Sequence, residues 1–328
     1  VWDKQIIFGI GVKLMRKTCL DMVYELAKAD DRIVFIGSDL GAGTLSEMQK
    51  NMPERFFMEG VSEANIIGMA AGLAMDGFIP YVNTISTFIT RRCYEQIAID
   101  LCLHNLPVKL IANGGGLVYA PLGPTHLAIE DIAIMRSLPN MNIVSPSDAE
   151  EMKRFMNQSK EIKGPVYIRL AKGGDEIVSD PKNGFKFGES ILIKDVGEVL
   201  IVSSGITTKE AIYASEELSK EGIKAGVLHM HTIKPFDYKS IIKYSQKVKL
   251  IVSVEEHIKN NGLGSAIGDV LNDNCYHKMP KLIKLGIPDQ FPDKYGTQED
   301  LLKYYSLDSK SIYESVLGFI KSKGLKAA

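Results

Sequence analysis

No apolar run in this chain of 328 residues approaches the ~20 consecutive residues that a membrane-spanning helix needs. Charge of one sign is also missing. The formal net charge is −1, and no block of basic residues is interleaved with aromatics, so nothing recommends a nucleic-acid or membrane-surface role. Cysteine is scarce. Cys19, Cys93, Cys102 and Cys275 are scattered without a CxxC pair. They read as reduced thiols of a cytoplasmic protein, with neither a disulfide frame nor a zinc site. The opening stretch VWDKQIIFGIGVKLMRKTC is too broken by charge and glycine to read as a secretory signal. What is present is 45% hydrophobic and 24% charged residues, a balance that suits a soluble globular protein of roughly two domains of ~150 residues.

Short apolar runs alternate with longer amphipathic stretches. Strands are expected at 33–37, 81–85, 108–112, 142–145 and 166–170, and again at 199–203, 226–229, 250–254 and 282–285. Most are nearly continuous Val, Ile and Leu, as parallel strands covered on both faces require. Helices are expected at 16–29, 63–75, 92–104, 148–158, 208–220 and 262–272, with a last amphipathic helix at 309–323. The alternation argues for α/β folding with doubly wound parallel sheets. The stretch GGDEIVSDPKNGFKFGES, rich in Gly, Asp, Ser, Lys and Pro, marks a boundary near 173–196. It separates a domain of residues 10–175 from one of residues 190–328.

Three segments could carry chemistry, and each follows or faces the end of an expected strand, where α/β folds place ligands. In EGVSEANIIGMAAGLA, Ser62 and Glu63 precede a helix of small residues. They suit ordinary initiation, with Ser62 as cap and Glu63 at the positive helix end. The Gly, Ala and Met run behind them would also allow close packing at a subunit or cofactor interface. In STFITRRCYEQ, Phe88 offers a flat apolar face, and Arg91 and Arg92 open the next helix; the same residues would serve as core and solvated charge. In NGGGLVYAPLGPTH, glycines let backbone approach a ligand. Thr125 can cap a helix beginning near His126, and a histidine there could move protons near neutral pH. The triple glycine lacks the spacing of a phosphate loop.

In their order and spacing, GVSEANIIGMAAGLA, STFITRRCYEQI and GPTHLAIEDIAIMRSLPNMNIVSPSDAEE resemble the transketolase family, including the related deoxyxylulose-phosphate synthases. IVSVEEHIKNNGLGSAI and LGIPDQFPDKYGTQEDLL look like that family's C-terminal domain. The resemblance covers nearly the whole chain and implies two domains, a thiamine-diphosphate pyrimidine-binding domain and a transketolase C-terminal-like domain. It further implies that Glu63 hydrogen-bonds N1′ of the cofactor's pyrimidine, so that the 4′-amino group becomes an imine able to take the thiazolium proton. Burying a carboxyl favours the protonated form that such sharing uses. Phe88 matches the aromatic packed on the pyrimidine and Tyr94 another aromatic of that pocket. Asp39 and Leu40 match positions near the cofactor's middle. Arg16 matches a sugar-phosphate-binding arginine of whole-length transketolases, and Arg91 a phosphate-binding arginine of the deoxyxylulose-phosphate synthases. Lys172 stands where an arginine is usual, keeping charge but losing the bidentate fork. His126 matches the histidine that contacts substrate oxygens, so it joins Glu63 as a catalytic candidate.

Two departures bear on substrate. Leu122 replaces the Asp of the family's Asp-Gly-x-Thr-His, and a second histidine usual in transketolases falls near Gly114. Leucine removes a hydroxyl acceptor and adds an apolar wall, which points to a modified, deoxygenated or nucleotide-linked sugar acceptor. The family's Gly-Asp-Gly, which holds Mg²⁺ and diphosphate with hard oxygen ligands, is absent: Gly268-Asp269 is followed by Val270. A separate diphosphate-binding chain is therefore expected to supply metal and diphosphate site, with no metal ligand on this chain, in an α₂β₂ assembly. The expected reaction moves a two-carbon ketol unit from a ketose to an aldose or other aldehyde. Three alternatives stay open: a pyruvate-using transferase of the deoxyxylulose-phosphate-synthase type, favoured by Arg91; the beta subunit of a 2-oxo-acid dehydrogenase; and a non-catalytic partner subunit.

Overall fold

The computed structural model describes residues 14–38, 43–171, 173, 175–274 and 279–322. Asp39, Leu40, Lys172 and Cys275 lie outside the described residues. In chain order the strands are β1 (Ile33–Gly37), β2 (Phe56–Met58), β3 (Ile79–Ile85), β4 (Lys109–Asn113), β5 (Asn142–Val144) and β6 (Val166–Leu170). They continue with β7 (Ile191–Lys194), β8 (Val199–Ser203), β9 (Ala225–His229), β10 (Thr232–Lys234), β11 (Leu250–Ile258) and β12 (Lys281–Ile287). Among the described residues they form a seven-stranded sheet, β10-β5-β6-β4-β3-β1-β2, and a five-stranded sheet, β12-β11-β8-β9-β7. Pairing is parallel except for β10 on β5 and β7 on β9.

The mixed α/β architecture expected from the alternating pattern is present in both sheets. β1, β4, β6, β8 and β9 are buried along their whole length, which is why most of their residues are apolar. Each such Ile, Leu or Val side chain contributes roughly 1.5–3 kcal/mol on burial. One apolar cluster runs from Ile36, Ile66 and Ile97 through Met135 to Leu228 and Ile251, so the two sheets share a core. No helix among the described residues is long and apolar enough to cross a membrane.

Three strands escape the sequence pattern. β2 and β7 are sheet-edge strands, of three and four residues. β10, from the second half of the chain, caps the first sheet through β5, a long-range pairing that no local signal announces. Two expected helix starts are corrected. Residues Ser86–Arg91 are already helical, the chain breaks at Arg92 and Cys93, and the next helical segment begins at Tyr94. It runs on into a wider, π-wound turn at Ile97–Leu103. No helix begins at His126: residues 124–126 form a turn, Ala128 bridges back to Gly115 and Gly116, and the helix starts at Asp131. Ser62 stands at the N-cap position but its hydroxyl donates to the Glu59 carbonyl at 3.0 Å and caps nothing. Cys19, Cys93 and Cys102 are buried free thiols.

Candidate active site

Strand register lines up the candidate segments. Ile85 at the end of β3 pairs with Asn113 at the end of β4, and Asn113 pairs with Leu170 of β6. The Phe88 helix and the triple-glycine loop therefore leave the sheet side by side at its carboxyl edge.

Glu63 opens the helix Glu63–Met75, at its positive end, and is only 5% exposed. Its Oε2 accepts a hydrogen bond from Arg92 Nη1 at 3.2 Å. The same Arg92 guanidinium carbon lies 4.0 Å from the centroid of the Phe88 ring, a cation–π distance. Phe88 also meets the His126 ring edge-on, with centroids 5.3 Å apart. His126 Nδ1 is 2.9 Å from Thr125 Oγ1. Burial first, and the Arg92 charge second, pull the His126 pKa below its ordinary value, so the ring is neutral and able to accept a proton around pH 7.

Tyr119 extends the group, its ring edge-on to His126 at 6.4 Å. It also accounts for the glycine where a second histidine was expected. Gly114 has φ +75°, and a Cβ there would lie 2.1 Å from the Tyr119 ring. The ring occupies the space a side chain at 114 would need. Burial raises the Tyr119 pKa, and the charge of Arg16 works against that rise. Leu122 is 37% exposed at the end of a short turn. The following Gly123 packs on Tyr295 from the second domain, where a Cβ would come within 2.8 Å of the ring.

Arg91 and Tyr94 point elsewhere. The Arg91 guanidinium pairs with the Glu130 carboxylate and donates to the carbonyls of Leu127 at 3.1 Å and Pro124 at 3.5 Å. It ties down the loop that carries His126. Tyr94, 38% exposed, shares a hydrogen bond with Ser137 Oγ at 2.9 Å. The arginine facing Glu63 and Phe88 is Arg92, which spacing alone could not separate from its neighbour.

The loop is held from beneath by a buried network that the sequence does not reveal. Arg169 Nε donates to Asp131 Oδ2 at 2.7 Å, and Nη2 to the carbonyls of Ala128 at 3.1 Å and Glu256 at 2.9 Å. Burial opposes the Arg169 charge, but Asp131 outweighs it and the pKa is raised. Glu256 Oε1 accepts from Leu117 N at 2.9 Å and Gln298 Nε2 at 2.7 Å. Gly116, at φ +67°, sits so close to this carboxyl that a Cβ would lie 2.3 Å from it. His257 Nε2 accepts from Ala133 N at 3.2 Å, so its Nδ1–H donates to the Ile258 carbonyl at 2.7 Å. The ring is thus a neutral pin between the two domains.

This network predicts a pH response. Burial pushes the Glu255 and Glu256 carboxyls up to about 7, from an ordinary 4.5. Between those values the folded chain holds protons that the unfolded chain has lost, so their contribution to stability is full below about pH 4.5 and is lost as pH rises through 7. His257 works oppositely. Burial lowers it to about 4 from 6.5, so its contribution is present above 6.5 and is lost as pH falls through 4. Above pH 6.5 the two carboxyls are opposed by Lys109, which burial lowers to about 7 from 10.5, so that its share of stability grows as pH rises from 7 towards 10.5. Glu256→Gln should therefore make the change in stability between pH 6.5 and 8 less negative or more positive than in wild type, one proton held only by the folded chain being removed. Denaturant midpoints read at each pH check this; an unchanged slope contradicts it.

The flat seat between Glu63 and Phe88 suits a planar heterocycle with a ring nitrogen. It already accommodates a planar cation that stacks on Phe88 and hydrogen-bonds Glu63. Comparison with known proteins agrees with that shape. Family models for the "Transketolase, pyrimidine binding domain" and the "Transketolase, C-terminal domain" match residues 13–174 and 188–312. Fold and site together thus define the class of proteins that join those two α/β domains. More particularly, the chain belongs to the transketolase family, a family of transferases.

Its relatives include chains of comparable length. The 6-deoxy-6-sulfo-D-fructose transketolase subunit SqwH of Clostridium sp. (strain MSTE9) is 35% identical over 299 residues, covering 91% of this chain and 92% of that one. An apulose-4-phosphate transketolase subunit of Phocaeicola vulgatus is 33% identical over 308 residues, covering 93% and 97%. A solved split-gene transketolase in an inactive β4 tetramer superposes with TM-score 0.84 at 34% identity, covering 94% of this chain and 98% of that one. The chain is thus similar along nearly its full length to separate subunits of split transketolases.

Proposed function

We propose that this chain is the pyrimidine-binding subunit of a two-chain, thiamine-diphosphate-dependent transketolase, active only with a diphosphate-binding partner. The observation that carries the reading is the convergence of Glu63, Phe88 and His126 at one edge of the first sheet. In this reading Glu63 shares a proton with the pyrimidine ring nitrogen, Phe88 supports the ring's face, and neutral His126 takes and returns protons at substrate oxygens. Thiamine diphosphate, when bound, supplies the carbon nucleophile that cleaves the ketose donor's C2–C3 bond and holds the electron pair left behind. Asp39, Leu40 and Lys172 keep their proposed places at the cofactor's middle and the substrate's anionic end. Mg²⁺ and diphosphate belong to the partner chain.

The exposed side of the Glu63–Met75 helix supports docking of that partner. Ala64, Gly68 and Gly72 lie four residues apart on it and Met75 is exposed. Space is open over both glycines, so another backbone can approach closely. Relatives of comparable length named as transketolase subunits support a second chain, and the proposed assembly is a heterotetramer of the α₂β₂ kind.

Leu122 supports an acceptor that lacks, or has altered, the hydroxyl an aspartate would bind. The test is ketol transfer by the paired chains across ordinary and deoxygenated or modified sugar acceptors. Wild type should prefer the latter. Leu122→Asp should move the kcat/KM ratio toward ordinary sugar phosphates by about 10- to 100-fold, the worth of one hydrogen bond to a charged group. If both enzymes prefer the same ordinary sugar phosphates, the acceptor assignment is wrong. If neither transfers ketol units from any donor while cofactor binds, the chain is a non-catalytic subunit.

A further inference from the structure

We infer that Arg92 occupies the cofactor's pyrimidine seat in the cofactor-free chain, alone or paired, and must be displaced before the cofactor can bind; this rests on the proposed function above. Two contacts define a pyrimidine seat: a face of Phe88 and an oxygen of Glu63. Arg92 makes both at once, with its guanidinium 4.0 Å from the Phe88 centroid and Nη1 3.2 Å from Glu63 Oε2. A guanidinium is a flat cation with N–H donors in its plane. It thereby imitates a protonated aminopyrimidine in shape, charge and donor direction. Both groups cannot share one carboxylate oxygen and one ring face.

The substitution has a physical reason. A carboxylate buried to the extent of Glu63 is costly without a proton or a counter-charge. The pyrimidine nitrogen would meet that need in the loaded site, and Arg92 meets it beforehand. The local backbone allows the exchange. Arg92 lies at the break between the helix Ser86–Arg91 and the segment beginning at Tyr94, and its side chain is 50% exposed. It can therefore leave for solvent without unfolding an element. Arg91 is held by Glu130, Leu127 and Pro124, so only the second arginine of the pair has this freedom. Cofactor binding becomes an exchange of cations on Glu63, and the apparent dissociation constant is raised by the fraction of chains with the seat filled.

The test measures binding, not turnover. Thiamine diphosphate with Mg²⁺ is titrated by calorimetry into the paired complex carrying wild type, Arg92→Lys or Arg92→Ala. Arg92→Ala should bind on the order of tenfold more tightly, the scale of one half-exposed cation–π contact and one ion pair given up. Arg92→Lys, without the planar fork, should fall between. Equal or weaker binding by Arg92→Ala overturns the inference. A wild-type complex that binds no cofactor overturns the proposed function instead, and the seat is then tested without cofactor. The Arg92 Nε–H resonance of the full chain should show a ring-current shift that Phe88→Leu abolishes; an unshifted resonance overturns the occupied seat.

Discussion

Replacing Glu63 by glutamine should reduce ketol transfer by about 10²–10⁴-fold, the range of a lost general acid–base group, while the chain still folds and pairs. Glu63 is the first residue of its helix, 5% exposed, with its carboxylate in the seat beside Phe88. Glutamine matches the carboxyl in shape and still accepts a hydrogen bond, but it cannot trade a proton with a ring nitrogen. The loss should appear in kcat. Cofactor affinity should change far less, because Phe88 and the diphosphate contacts proposed for the partner chain are left intact. A variant retaining more than a tenth of wild-type kcat would remove Glu63 from the chemistry.

The largest effect on stability is expected at Arg169. Its guanidinium joins Asp131 in an ion pair that is almost wholly buried, with side chains 7% and 0% exposed. It also serves the carbonyls of Ala128 and Glu256. Arg169→Leu leaves the Asp131 carboxylate without its counter-charge inside the protein, a change that costs about 3–5 kcal/mol. Chemical denaturation should show a large fall in the midpoint. Activity should fall further than stability alone requires, because Arg169 lies directly under Gly115, where a Cβ would come within 2.6 Å of its side chain. That glycine loop bridges to Ala128, two residues past His126. A midpoint within experimental error of wild type would show that Asp131 finds another partner. Asp131→Asn in the Arg169→Leu background should recover part of the loss, since an amide is less costly to bury than a charge.

Much of the fold was legible because its strands are chemically extreme. β1, β6 and β8 are five-residue, mostly apolar runs buried along their length, and the sequence pattern places them to the residue. β7 is only half-buried at a sheet edge, so its pattern is weak. β10 exists because Thr232–Lys234 finds β5 nearly ninety positions upstream, which periodicity cannot detect. Thr125 suited a helix cap before His126 in the sequence alone. The chain instead turns at 124–126 and bridges Ala128 to Gly116, and no helix starts before Asp131.

Within the site, the resemblance led to Glu63, Phe88 and His126, and the structure brings those three together. In the sequence the resemblance gave a role to Arg91 and none to the adjacent Arg92. A break in the helix sends one to Glu130 and the other to Glu63. The missing histidine near Gly114 bore on substrate in the sequence; in three dimensions the Tyr119 ring fills the space a side chain at 114 would need. Arg169, Asp131 and the neighbours Glu256 and His257 come from three separate segments. They act only where both domains meet, so no local motif could have joined them.

If Glu63 activates a cofactor bound between two chains, the proton on the cofactor's reactive carbon reports it. Hydrogen–deuterium exchange at C2 of thiamine diphosphate is measured with Mg²⁺ for the chain alone, for the chain with its diphosphate-binding partner, and for the Glu63→Gln pair. Rapid exchange is expected in the wild-type pair, and exchange at the rate of free cofactor in the lone chain and in the mutant pair. Exchange in the wild-type pair no faster than in free cofactor, with complex formation and cofactor binding confirmed, would contradict a role for Glu63 in activation.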